Sequence, residues 1–223
     1  MIYVHDQGIV HGNLRGVGFR ARTHRPAHSL PNPKVNILID NNGHARLASF
    51  GLHTQTSDQP TIRTSDIWGG PFRWMSPERL VPREFGLKDD RPTKESDCYA
   101  LGMTICEVLS GQVPFAQYDR DTYVAFEIFN DKRPNRPRGA RGAWFTDELW
   151  EMLGLCWKRQ PGDRPSLNSV LECLQGARRP SRPPSDMDGD GDTDINYQSD
   201  STTSDPGMCP LLIPASSLIT LVM

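Results

Sequence analysis

Between Ser96 and Gly111 the residues Cys98, Tyr99, Leu101, Met103, Ile105, Cys106, Val108 and Leu109 are apolar almost all the way round a helical wheel. Such a helix belongs in the middle of a domain rather than on its surface, and Gly111 and Pro114 end it. A shorter amphipathic stretch runs from Asp121 to Phe129, and Pro134 and Pro137 break the pattern after it. Thr146 is placed to cap a further helix with Leu149, Trp150, Leu153, Cys156 and Trp157 on one face. Pro161 to Pro165 reads as its exit loop, and Ser166 as the cap of a last helix that buries Leu167, Val170, Leu171 and Leu174. Upstream, the apolar run Val35 to Ile39, the turn Asn41-Asn42-Gly43 and the strand through Ala45, Leu47 and Ala48 predict a β-hairpin. The first residues read as the end of a helix that Gly8 terminates. The pattern predicts a mainly α domain, a helical bundle with one small hairpin, over residues 1–177.

Two stretches stand outside this pattern. Val17 to Lys34 carries Arg20, Arg22, Arg25 and Lys34, two His and three Pro, with no periodic apolar face. A structureless stretch of that length is uncommon inside a compact domain, so it is either a specialised loop or an error in the chain. Its 18 residues correspond to 54 nucleotides; a Val codon begins GT and Lys can be AAG, the two ends of a spliced intron. From residue 178 to 223 the chain is rich in Arg, Pro, Ser, Asp and Gly. That composition cannot bury enough apolar area to offset the entropy of ordering, which predicts a disordered tail.

Charge and cysteine usage narrow the setting. The formal charge of −2 divides into +5 for residues 1–182 and −7 for 183–223, a mildly basic body with an acidic, solvated tail. The five cysteines, Cys98, Cys106, Cys156, Cys173 and Cys209, form no Cys-x-x-Cys pair and suit a reducing compartment, cytoplasmic or nuclear. No basic head and long apolar run opens the chain at Met1. Leu211 to Met223 is apolar, but its 13 residues include Pro214 and fall short of the roughly 20 needed to span a bilayer. Asp186-Met187-Asp188-Gly189-Asp190-Gly191 is similar to the start of a calcium loop, yet position twelve is Tyr197 rather than glutamate. With one aromatic residue, Phe19, the basic segment 17–34 lacks a groove for nucleic acid.

His11-Gly12-Asn13-Leu14-Arg15, then Asn36-Ile37-Leu38-Ile39, Ser49-Phe50-Gly51 and Ser76-Pro77-Glu78 occur in that order. With Asp97 and the later Cys156-Trp157 and Asp163-Arg164-Pro165, this ordered set resembles the C-terminal lobe of protein kinases. The likeness covers Met1 to about Gly176 apart from residues 17–34, and Arg73-Trp74-Met75-Ser76-Pro77-Glu78 resembles the tyrosine-kinase-like branch. It implies a kinase C-lobe whose N-lobe is absent, since only ten residues precede His11 and none forms a glycine-rich loop.

In the family, phosphoryl transfer uses ATP and Mg²⁺, an aspartate that positions the attacking hydroxyl, and carboxylate and amide metal ligands. Here Asn13 stands at the catalytic aspartate position, and an amide cannot accept the proton. Ser49 stands at the metal-binding aspartate, Arg15 at the loop lysine and Asn36 at the second metal ligand. Gly12 replaces the arginine that meets an activation-loop phosphate, so phosphorylated Thr61, Thr64 or Ser65 would lack that partner. The structural positions are kept: His11 and Phe50 in their motifs, Glu78 and Arg164 as an ion pair, and Asp97 as acceptor for the catalytic-loop backbone. The alternative for Glu78 and Arg164 is a pair of surface charges worth under about 1 kcal/mol.

These residues imply a degenerate, pseudokinase-like fragment that takes no cofactor and acts through protein partners, without nucleic acid or membrane. The surface facing the missing lobe would also promote self-association. The alternatives are a truncated or mis-spliced kinase sequence with no independent function, and an active kinase whose N-lobe is supplied from elsewhere.

Overall fold

The computed structural model describes residues 1–15, 36–39, 44–48, 71–138, 142, 144–176 and 215–223. Its helices are α1 (Ile2–Asp6), α2 (Pro77–Leu80), α3 (Lys94–Ser110), α4 (Asp121–Phe129), α5 (Asp147–Cys156), α6 (Leu167–Gly176) and α7 (Ala215–Val222). Short 3₁₀ turns lie at Pro71–Trp74, Pro82–Phe85 and Pro161–Asp163. Strands β1 (Ile37–Ile39) and β2 (Ala45–Leu47) pair antiparallel, with Ile37 opposite Leu47 and Ile39 opposite Ala45. The turn expected at Asn41-Asn42-Gly43 lies outside the described residues.

The domain is assembled around α3. Thr93 caps it reciprocally: Thr93 Oγ1 accepts from Ser96 N–H at 3.1 Å, and the Thr93 N–H donates to Ser96 Oγ at 2.9 Å. The helix therefore begins two residues before the Ser96 start expected from the apolar pattern. It ends at Gly111, whose φ of 67° favours glycine and whose N–H reaches the Glu107 carbonyl. Tyr99, Leu101, Met103 and Ile105 are all fully buried, each such aliphatic or aromatic side chain contributing about 1.5–3 kcal/mol by leaving water.

Helix α5 crosses α3 closely enough that Gly102 has no room for a side chain; a Cβ there would lie 2.8 Å from Cys156 Cβ. Thr146 Oγ1 caps α5 by accepting from Leu149 N–H at 3.2 Å, and its apolar face stacks Trp150 edge-on between Phe145 and Trp157, at 5.7 and 5.5 Å. Helix α6 packs on α5, and α4 packs against the 3₁₀ turn at Pro71–Trp74.

The sequence predicts one disordered tail over 178–223, and the structure corrects its end. Residues 215–222 form α7, which packs on α6 and β2 and buries Leu218, Leu221 and Val222. The physical reason is composition: the aspartates stop at Asp205, and Leu211 onward is apolar enough to profit from burial. Residues 17–34 and 177–214 lie outside the described residues.

Candidate functional site

One carboxylate holds the loop that follows α1. Asp97, in the first turn of α3 and 1% exposed, accepts from His11 N–H at 2.7 Å and Gly12 N–H at 2.8 Å. His5, the buried residue of α1, lies with Nε2 2.9 Å from the same Oδ2 that His11 uses. Three charge-assisted bonds converge on one buried anion, so the backbone at residues 11–12 is fixed from the base of the domain. His11 is fully buried as well, with Nε2 3.0 Å from the Ala48 carbonyl beside β2, while Nδ1 accepts from Asn13 N–H at 3.3 Å. That pattern requires a neutral ring protonated on Nε2. Burial lowers the His11 pKa below its ordinary value against the pull of Asp97, in keeping with it.

Asn13 and Asn36 meet across 23 residues of sequence, Asn36 Nδ2 donating to the Asn13 carbonyl at 2.5 Å. Each amide keeps its Oδ1 buried and without a hydrogen-bond partner. Asn13 also lines a small cavity with Ser76, Arg79 and Asp97, and the Ser76 hydroxyl there is likewise buried without a partner. Arg15 is buried beside this loop, 7% exposed. The described oxygens at this point are thus neutral amides and an alcohol, the one carboxylate being engaged by three donors. Among the described residues, no group of three or more His, Cys, Asp and Glu side chains could hold a metal ion.

Gly12 has a φ of +76°, and a Cβ built on it would lie 2.8 Å from Pro92 Cγ. Any side chain at this point meets both a left-handed backbone and a rigid ring. Arg79, from α2, reaches the loop instead, donating from Nη1 to the Gly12 carbonyl at 2.8 Å and from Nε to the Asp90 carbonyl at 2.9 Å. Its burial lowers the guanidinium pKa from its ordinary value.

Glu78 and Arg164 form a two-pronged buried pair, Nη1 to Oε1 at 2.7 Å and Nη2 to Oε2 at 2.6 Å. Their side chains are 2% and 0% exposed, so they are not surface charges. Arg164 also donates to the carbonyls of Lys158, Arg159 and Glu95 and sits 5.1 Å from the Tyr99 ring centre. The pair joins α2 to the loop before α6.

The structure therefore brings His11, Asn13, Asn36 and Asp97 into one cluster and sets Glu78 with Arg164 apart from it, beneath α2. Ser49 and Phe50 lie outside the described residues, as do Thr61, Thr64 and Ser65. Sequence reasoning missed His5 and Arg79, because one helical histidine and one arginine amid charged neighbours give no periodic signal. It also missed the Arg73 clamp, in which Nε donates to Asp121 Oδ1 at 2.6 Å and the other nitrogens to the carbonyls of Pro114, Phe115 and Tyr118. Trp74 Nε1 adds a 3.0 Å bond to Glu107 on α3. Among the described residues no helix is long and apolar enough to cross a membrane.

Residues 34–174 match the family described as protein tyrosine and serine/threonine kinase. The chain is 27% identical over 177 residues to the serine/threonine-protein kinase mos of Patiria pectinifera, covering 78% of this chain and 42% of that protein. It is 26% identical over 175 residues to mitogen-activated protein kinase kinase 2 of Arabidopsis thaliana, covering 77% of this chain and 41% of the relative. To a probable inactive serine/threonine-protein kinase of Dictyostelium discoideum it is 30% identical over 173 residues, 76% of this chain and 12% of that protein. The chain thus spans less than half the length of each of these relatives.

Proposed function

Given that this chain belongs to the protein tyrosine and serine/threonine kinase family, we propose that it is a pseudokinase-like C-lobe that transfers no phosphate and works by binding other proteins. The observation that carries this reading is Asn13, a neutral amide where the family places a proton-accepting aspartate, beside an Asp97 carboxylate occupied by backbone donors; Asn36 keeps the amide that the family uses as its second metal ligand. An amide orients a hydroxyl but takes no proton from it, and Ser49, at the position of the family's metal-binding aspartate, brings no negative charge to Mg·ATP. The likeness to a relative whose name includes "probable inactive" points the same way. The resemblance at Arg73 to Glu78 favours the tyrosine-kinase-like branch as the finer placement.

For a protein-binding role the support is an exposed aromatic run. Tyr118, just before α4, and Tyr123 and Phe126 on it stand in ring contact, with Tyr123 and Phe126 about half exposed, at 48% and 58%. Aromatic side chains are the residues that anchor protein interfaces. Such a role suits a cytoplasmic or nuclear protein, without nucleic acid or membrane.

A thermal-shift titration with ATP and MgCl₂ tests the reading. The expected result is no saturable rise in Tm. A saturable rise, with substrate phosphorylation that disappears on Asn13→Ala, would establish an active kinase instead.

A second reading has its own observation. The family match starts at residue 34, and the Asn36 to Asn13 bond joins the two flanks of residues 17–34 directly. On that support we read the segment as a retained intron. Mature transcripts should join the Gly16 and Val35 codons; uniform coverage of the intervening 54 nucleotides would overturn this.

A further inference from the structure

The apolar run at the end of the sequence is too short for a membrane and plays no part in the site above, yet it is seated in the fold. In α7, Leu218, Leu221 and Val222 are 2%, 2% and 0% exposed, spaced three and four residues apart on one face, while Met223 beyond them is 61% exposed. That face lies on α6 and β2. The far end of α7 meets the near end of α1: the Met1 nitrogen donates to the Leu221 carbonyl at 3.0 Å, and Tyr3 N–H donates to the Met223 carbonyl at 3.3 Å.

If Met1 is counted as the residue after Met223, both bonds span three positions, the spacing of a tightened helical turn. α7 and α1 therefore stack head to tail as one broken helix. The last carbonyls of the first satisfy the opening N–H groups of the second. Met1 itself is buried at the junction, 3% exposed.

Eight residues, three of them the β-branched Ile219, Thr220 and Val222, do not hold a helix alone in water. The helix of α7 must come from the surface that receives it. We propose that α1, β2 and α6 form a socket for a short uncharged helix, and that residues 215–223 of the same chain are its occupant, folding as they dock and lengthening α1 end to end. The abrupt change from an aspartate-rich stretch ending at Asp205 to an uncharged, mainly apolar terminus is the sequence counterpart of that seat.

Hydrogen exchange on the whole chain tests this. The amides of 218–223 and of Tyr3 should exchange at least about tenfold more slowly than in the free peptide 211–223 or an unstructured chain, at rates that do not change on dilution of the protein. Leu221→Asp should release both sets together while α3 stays protected. A labelled 211–223 peptide should then bind the Leu221→Asp chain saturably, and the unsubstituted chain at least about tenfold more weakly, because there the tethered copy holds the socket. Exchange of 218–223 at free-peptide rates in the unsubstituted chain overturns the proposal, even if Leu221→Asp fails to fold. So does protection that fades on dilution, which would assign the seat to a second copy.

Discussion

Asp97 and Arg164 show how far single residues carry this fold. Each is a buried charge whose partners come from distant parts of the sequence, and neither could be removed without stranding what it binds. For Glu78→Ala or Arg164→Ala the expected loss is about 3–5 kcal/mol, since the remaining charge stays buried and unpaired; urea unfolding measures it. His11 predicts a pH dependence. Its folded-state pKa lies below the ordinary 6.5, so between those values the unfolded chain binds more protons than the folded one. Its contribution to stability is whole above pH 6.5 and is lost as the pH falls through the window beneath it. The slope from this one group reaches at most about 1.4 kcal/mol per pH unit. Urea midpoints between pH 7.5 and 5 should fall, and His11→Gln should flatten the fall; an unchanged slope in that variant would assign the effect to other groups. Asn13, Asn36 and Asp97 were legible because motif order places them. His5 and Arg79 were not, because a hydrogen bond to a backbone carbonyl or a shared carboxylate leaves no trace in residue spacing.

At the scale of elements, the strong signals are the ones that burial enforces. α3 is apolar on all sides and α5 on one, and both lie where the pattern puts them, apart from the start of α3. That start depends on a local bond rather than on periodicity: Thr93 and Ser96 exchange hydrogen bonds, and the helix runs back to Lys94. Thr93→Ala should therefore cost about 1 kcal/mol, read as a lower denaturation midpoint with an unchanged m-value, whereas Thr→Ala at an uncapped surface position should cost much less. The short 3₁₀ turns and α2 escaped sequence reading because three or four residues are too few to display a period. α7 escaped for another reason: average composition over 178–223 hides thirteen uncharged residues behind seven aspartates.

Across the whole molecule, the kinase likeness and the helical architecture agree. The framework contacts, Asp97 to the loop and Glu78 to Arg164, are formed, and on the function proposed above the loop they hold carries Asn13 where the family uses an acid. Shape and turnover rest on different residues, so a kinase framework does not by itself imply phosphate transfer. The glycine at position 12 carries this separation one step further. Its backbone angle of +76° and the Pro92 ring 2.8 Å from where a β-carbon would stand mean that an arginine at that position would strain the backbone and meet the ring. A side chain at position 12 would thus call for a smaller residue at position 92, so the two positions are coupled across the loop and the segment before α3.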